Sequence, residues 1–234
     1  MKIAAIITGK GSSSLKNKNL LKINNRPILT YPCAEAKKVK EINKFYVSSE
    51  DKKILNLCHK YGYKKILRPK FLALANSRHS QVLKHALNFI IKDKFKPEII
   101  VVLLANAPII KAKWIIDCIK IIINNKKVTA AVPVMLNNDQ NPYRAKKIKN
   151  GYLRNFVKTK KKISSNRQEL DKSFFLCHNF WAIRTSAIIK EKGEGPWNFM
   201  GKFVRPYLVK NSVDIHTMED LYLSRILINK IKKK

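Results

Sequence analysis

The sequence predicts a doubly wound, mostly parallel α/β sheet carrying a small inserted arm. Strand-like and helix-like segments alternate through the first 135 residues, the order that builds βαβ units. The strand-like segments are continuous apolar runs, residues 3–8 and "EIIVVLL" at 98–104 among them. A strand that is apolar on both faces has to be covered on both, and a parallel sheet between helical layers does that. The 234 residues suffice for one such unit plus an arm and are few for two independent domains.

The elements follow in order. The first run ends at Gly9, so a buried strand leads into a loop. A second strand, "KFYVSS", closes on Ser49, which can cap the helix "EDKKILNLCHKYG". There Ile54, Leu55, Cys58 and Tyr61 recur at helical spacing and Gly62 supplies the stop. A short strand at 64–67, a helix over 79–91, the strand 98–104, a helix over 112–123 and a strand at 129–135 complete the alternation. From Asn137 to about Leu176 the periodicity weakens and polar residues dominate, which reads as the inserted arm. "FFLCHNFWAIR" resumes as a strand. In the last segment Thr217 and Asp220 have capping-box spacing ahead of an apolar helical face. Ligands of such sheets sit beyond the carboxyl ends of the strands, here residues 8–19, 48–51, 68–80 and 104–111.

Composition narrows the partners. At 45% hydrophobic and 27% charged the chain has the make-up of a folded protein. Its net charge, 49 − 15 = +34, suits a polyanion or an anionic small substrate. The charge is mostly Lys and spread from Lys2 to Lys234, whereas a nucleic-acid reader more often gathers Arg and aromatics on one face. An anionic small molecule is therefore preferred to nucleic acid as the main ligand. Cys33, Cys58, Cys118 and Cys177 lie far apart, which suggests neither a zinc site nor a disulfide framework. Reduced thiols, a start too short in apolar residues for a signal peptide and no run long enough to span a bilayer lead to the expectation of a cytoplasmic protein without a membrane partner.

The chemistry concentrates in "ITGKGSSSLKNKN", residues 7–19. A phosphate loop needs inward N–H groups, small residues and nearby cations. Gly9, Gly11, Ser12, Ser13 and Ser14 supply the small residues, and Lys10, Lys16 and Lys18 the charge. The segment fits neither G-x-x-x-x-G-K-[ST] nor the dinucleotide fingerprint, which meets Ser14 where its third Gly belongs. The residues alone leave open a nucleotide-phosphate site and a solvated polar connection.

The order "AIITGKGSSSLKNKNLLKINNRPILTYPCAEA", "FYVSSEDKKILNLCHKYGY", "LRP", "VVLLANAPII" and "VDIHTMEDLYLS" resembles the CMP-sialic acid synthetase (acylneuraminate cytidylyltransferase) family. The resemblance runs nearly the whole length and is weakest in the arm. It implies a nucleotidyltransferase-like fold, transfer of the cytidylyl group of CTP to a 2-keto-3-deoxy sugar acid with release of pyrophosphate, Mg²⁺, and a homodimer in which the arm reaches the partner's site. It places Lys10 where the family has Arg, neutralising the triphosphate, and leaves Ser14 at the place of a second cation. Lys18 and Asn19 match the family's "K-N", for phosphate and for cytosine or ribose. Arg68 matches an Arg near the base, and Ser80 falls in a stretch that contacts the nucleotide. Ala105 stands where a Gln helps hold the sugar. Asp214 and His216 stand where two Asp residues hold the metal, so that Asp214 and the phosphates carry the ion, or Mn²⁺ is tolerated beside the imidazole. Asp220 reads as a helix cap. Arg144 and Lys146 in the arm, and His178 and Asn179 after it, are candidates for the sugar end. A CMP-ketodeoxyoctonate-type synthetase and a basic nucleic-acid-binding protein on the same scaffold remain as alternatives.

Overall fold

A computed structural model describes residues 1–11, 15–160 and 162–232. The strands are β1 (Ile3–Thr8), β2 (Lys22–Ile23), β3 (Arg26–Pro27), β4 (Lys44–Ser49), β5 (Lys64–Leu67), β6 (Ile99–Leu104), β7 (Ala130–Leu136), β8 (Lys146–Lys149), β9 (Tyr152–Asn155), β10 (Phe174–Leu176), β11 (Phe180–Arg184) and β12 (Val204–Leu208). The α-helices are α1 (Thr30–Lys37), α2 (Lys52–His59), α3 (His79–Lys92), α4 (Ala112–Asn124), α5 (Thr185–Lys190) and α6 (Met218–Lys232). The main sheet has eight strands, running β10-β7-β11-β6-β1-β4-β5, with β12 also paired to β7. β1 is parallel to β4 and β6, β4 to β5, and β7 to β12, while β10 and β11 run antiparallel to their neighbours. The sheet is the predicted mostly parallel one.

The continuous apolar runs are explained by their two faces. Ile3, Ala5 and Ile7 of β1 and Ile99, Val101 and Leu103 of β6 enter one core with α1, α2 and α4. Ala4, Ile6, Ile100, Val102 and Leu104 enter the other, with α3 and α5. All of these are buried, so truncating one to Ala removes contacts on a face with no water to replace them, a loss of about 2–5 kcal/mol for Ile or Leu. A third, smaller cluster joins Ile23, Ile28 and Tyr31 to Ile109, Ile215 and Ile228. It docks α6 and the segment before it against the loop that follows β1. The β2–β3 turn uses Asn24 and Asn25, both at positive φ (49° and 60°), as a two-residue hairpin with strand-matching twist requires.

Two local expectations are corrected. Asp51, not Ser49, caps α2: its carboxylate accepts from Lys53 N at 2.6 Å, while buried Ser49 Oγ accepts from Asp51 N at 3.1 Å. The shorter-reaching hydroxyl closes the turn and the carboxylate two residues on closes the helix. "FFLCHNFWAIR" is two strands, because Asn179 breaks the run: its Oδ1 accepts from Phe180 N at 3.0 Å and its Nδ2 donates to Ile109 O at 3.2 Å. Between the strands His178 turns toward the sheet's carboxyl end. In the 137–176 segment β8 and β9 form a hairpin with exposed Ile148, Tyr152 and Leu153, followed by exposed Phe156. All four cysteines are buried and free. Among the described residues no helix is long and apolar enough to cross a membrane.

Candidate active site

A cleft of about 390 Å³ opens at the carboxyl ends of β1, β5 and β6. Thr8, Gly9, Lys10, Lys18 and Asn19 line one side, Arg68, Leu72, Leu74, Ser77, His79 and Val82 another, and Leu104, Asn106, His178, Asp214 and His216 the third. A volume of this size suits a small-molecule ligand.

The loop after β1 is fixed by what surrounds it. A Cβ on Gly9 would lie 2.9 Å from Ala105 Cβ and 3.4 Å from Asn19 Nδ2, so only glycine lets β1 continue over the β6 loop. Asn19 then reaches back to donate to Lys10 O at 2.9 Å. Its Oδ1 is buried and has no hydrogen-bond partner among the described residues. Gly11 N donates to Glu50 Oε1 at 2.7 Å, and the other oxygen of Glu50 accepts from Arg68 at 2.8 Å. Arg68 also donates to Gly9 O. Its side chain is 5% exposed, and its Nε lacks a partner among the described residues. Burial works to raise the Glu50 carboxyl, but the hydrogen bonds from Arg68 and Gly11 outweigh it and hold the group below its ordinary value.

The rest of the lining is cationic and then acidic. Lys18 is buried, and desolvation pulls its ammonium below its ordinary value, with Lys10 adding to the fall and Asp214 and Asp220 opposing it. Its Nζ lies 3.5 Å from His216 Nδ1, and His216 Nε2 lies 2.7 Å from Asp214 Oδ2. Asp220 Oδ2 accepts from His216 N and Thr217 N, at 2.8 and 2.9 Å, and Asp220 N faces Thr217 Oγ1 at 3.3 Å. Asp220 therefore caps α6, as its spacing predicts. Burial, with Arg68 and His178 nearby, lowers the His79 imidazole to about 4, so the ring is neutral at pH 7. It packs edge-on against Trp181 and faces Thr8 Oγ1 at 3.4 Å. His178 is likewise lowered by burial, and its ring meets Trp181 and Trp197 edge-on at 5.7 Å.

The cleft brings together Gly9, Lys10, Lys18, Asn19, Arg68, Asp214, His178 and His216. It does not include Ser80, which is buried on α3, because the helix turns that position away. His79 lines the wall instead. Asn179 is committed to the backbone at both ends of its amide, and Ala105 lies buried beneath Gly9. Asn106 lines the cleft in Ala105's stead. It is tied to the Asp214 segment by Asn106 Nδ2 to Ile215 O at 3.2 Å and Ile215 N to Asn106 O at 2.9 Å. The place of Asn106 two residues past β6 is the signal that could have found it. Arg144 pairs with Asp139 at 3.5 Å and, with Lys146, lines a separate hollow beside Tyr143 and Asn155. Ser12, Ser13 and Ser14 lie outside the described residues.

The donor set tests the metal that the resemblance implies. Asp214 presents a hard carboxylate at the cleft, which fits Mg²⁺. Among the described residues no three His, Cys, Asp or Glu side chains converge on one point, so most ligands would come from a nucleotide and water.

A family model described as cytidylyltransferase matches residues 4–222. Over 138 residues, 58% of the chain, it is 30% identical to an N-acylneuraminate cytidylyltransferase of Escherichia coli O18:K1:H7. Over 72 residues, 30% of the chain, it is 38% identical to a Helicobacter pylori protein named as a pseudaminic acid cytidylyltransferase and UDP-2,4-diacetamido-2,4,6-trideoxy-beta-L-altropyranose hydrolase. These matches span 32% and 14% of those relatives' lengths. Among solved structures, CMP:2-keto-3-deoxy-manno-octonic acid synthetase complexed with CTP superposes with a TM-score of 0.73 at 16% identity, covering 98% of this chain and 99% of that one. The 4-diphosphocytidyl-2C-methyl-D-erythritol synthase of Anaerococcus prevotii gives 0.66 at 15% identity, with 97% and 98% covered. At these identities the likeness is one of fold.

Proposed function

The chain belongs to the cytidylyltransferase family, and from that premise we propose that it transfers the cytidylyl group of CTP to a 2-keto-3-deoxy sugar acid of the sialic or pseudaminic kind. One observation carries the nucleotide half of this reading. Among the described residues, two buried polar atoms flanking the Gly9 turn lack partners, the acceptor Asn19 Oδ1 and the donor Arg68 Nε. Each such orphan costs about 1–3 kcal/mol when left unsatisfied. Cytosine offers an exocyclic amine donor beside ring and carbonyl acceptors, the complement of that pair, whereas uracil puts an acceptor where cytosine has its amine. The acceptor class rests on the two curated relatives, both of which carry cytidylyltransferase names for nine-carbon sugar acids.

In this reading the anomeric hydroxyl attacks the α-phosphorus in line; the new oxygen–phosphorus bond forms as the bond to the oxygen bridging to the β-phosphate breaks, the hydroxyl proton passes to water, and pyrophosphate leaves. Lys10 and Lys18 neutralise the phosphates. Lys18, desolvated in the cleft, gains a further charge partner when a triphosphate enters. Arg68 and Glu50 brace Gly9 and Gly11, holding the loop open to the nucleotide. Mg²⁺ beside Asp214, with Mn²⁺ as the alternative, supplies further positive charge on the phosphates when bound. Positioning and charge neutralisation dominate such chemistry. The exposed apolar residues of β8–β9 suit contact with a second copy of the chain, the homodimer of the proposal.

Nucleotide-dependent melting tests it. CTP at about 100 times its dissociation constant adds about 2.7 kcal/mol, which in a chain of this size raises Tm by about 5–11 °C. UTP and ATP at the same concentration give a clearly smaller rise. Equal shifts for all three would overturn the base assignment.

A further inference from the structure

We infer that His216 is a positioning residue that ties Lys18 to Asp214, and that it is not itself a ligand of the divalent cation. The inference rests on the proposed triphosphate site and concerns how this chain's residues are arranged toward the cation there. The geometry is a chain of three groups: Lys18 Nζ to His216 Nδ1 at 3.5 Å, and His216 Nε2 to Asp214 Oδ2 at 2.7 Å. An ammonium only donates hydrogen bonds and an ionised carboxylate only accepts them. The imidazole between them satisfies both in one form, with Nδ1 accepting from Lys18 and its single proton on Nε2, donated to Asp214. The nitrogen nearest the carboxylate is therefore occupied by a proton. To ligate a cation through Nε2 the ring would have to carry its proton on Nδ1, pointing at the Lys18 ammonium.

The surroundings hold this arrangement in place. Asp220 Oδ2 accepts from His216 N at 2.8 Å, so the cap of α6 fixes the backbone that carries the ring. Asn106 pins Ile215, between Asp214 and His216, through two hydrogen bonds to the loop after β6. Asp214 and His216 are two residues apart at the bend before α6, and their 2.7 Å contact puts both side chains on one side. Lys18 comes from the other wall of the cleft. His216 thus joins the two walls, and it aims the Lys18 ammonium and the Asp214 carboxylate into the space between them. A cation there meets one protein carboxylate oxygen, with phosphate and water oxygens for the rest, a donor set that suits Mg²⁺. An imidazole ligand would instead favour softer ions.

Two spectroscopic readouts test this apart from catalysis. In metal-free protein with ¹⁵N-labelled histidine, long-range ¹H–¹⁵N correlation spectra show His216 as the Nε2–H tautomer, assigned by the loss of its signals in His216→Gln. The Nδ1–H tautomer would overturn the inference. In the Mn²⁺·CTP complex, pulsed electron paramagnetic resonance shows no directly coupled imidazole nitrogen that disappears in His216→Gln, and finding one would overturn it. His216→Gln keeps an acceptor and a donor on one planar group, so it retains most of the wild-type kcat/KM, whereas His216→Ala loses about 10–100-fold, as is usual when an outer-shell partner is removed. Equal losses in the two variants, with both folded by circular dichroism, would also contradict a positioning role. Absence of ³¹P coupling between Mn²⁺ and CTP would sink the proposed nucleotide site and leave the tautomer measurement to decide the inference.

Discussion

Arg68→Met isolates the brace beneath the nucleotide loop. The guanidinium pairs with Glu50 at 2.8 Å and donates to Gly9 O, with Arg68 5% and Glu50 15% exposed. Removing one partner of a buried pair costs about 3–5 kcal/mol, because the remaining charge is left without compensation. Glu50 keeps the Gly11 N–H and sits at the cleft edge, so the lower end applies, about 3 kcal/mol, or a fall in Tm of about 6–12 °C for a chain of this length. The pH dependence gives the sign. In the folded wild type Glu50 is held below its ordinary value, so the stability it contributes is present above that value and is lost as pH falls through the folded-state value. In the variant burial is no longer opposed by Arg68, and the carboxyl rises. The difference between the two proteins is thus largest near pH 7 and shrinks as pH falls through the variant's raised value toward the wild type's depressed one, below which Glu50 carries its proton in both. Urea unfolding at pH 7 and pH 4 measures it, with Arg68→Met/Glu50→Gln as the second arm, which recovers part of the loss at pH 7. A loss that is the same at both pH values, and unchanged by Glu50→Gln, would refute the buried-pair account.

Three further changes probe neighbouring parts. Gly9→Ala puts a methyl 2.9 Å from Ala105 Cβ, an overpacking cost of about 1–3 kcal/mol, and weakens CTP binding by shifting Asn19; calorimetry of unfolding and of CTP titration checks both. Ser80→Ala leaves CTP affinity unchanged in the same titration, since the residue is buried on α3 away from the cleft lining, and costs about 1 kcal/mol of stability at most. Asp220→Ala removes the cap on His216 N and Thr217 N, costing about 0.5–2 kcal/mol in urea unfolding, and lowers turnover more than Ser80→Ala does because the cap also seats His216.

The parallel core was legible because burial on both faces writes itself into the sequence as apolar runs: β1 and β6 fall where those runs lie. The same signal was silent for β12, an edge strand whose "VRPYL" is mostly exposed, and for the break before β11, which depends on the contact of Asn179 with Ile109 seventy residues away. In the cleft, the ionisable members Lys10, Lys18, Arg68, Asp214 and His216 could be named from motif order. Ser80 could not be placed, because the face of α3 that meets α5 is set by packing. Asn106 was passed over for Ala105, since only the three-dimensional crossing of Gly9 over Ala105 shows which of the two is buried. The Glu50 brace carried no motif of its own, and it arises because the carboxyl ends of β4 and β5 lie side by side.

Pyrophosphate release tests the central claim most directly. Protein, CTP and Mg²⁺ are incubated with a panel of 2-keto-3-deoxy sugar acids, sialic and pseudaminic acids and ketodeoxyoctonate among them, and with no sugar, while DNA and RNA binding is followed across a salt series. The account predicts sugar-dependent pyrophosphate with at least one nine-carbon acid and a matching CMP-sugar product. No pyrophosphate with any sugar, no CTP-induced rise in Tm, and salt-dependent nucleic-acid binding that outcompetes CTP would contradict it.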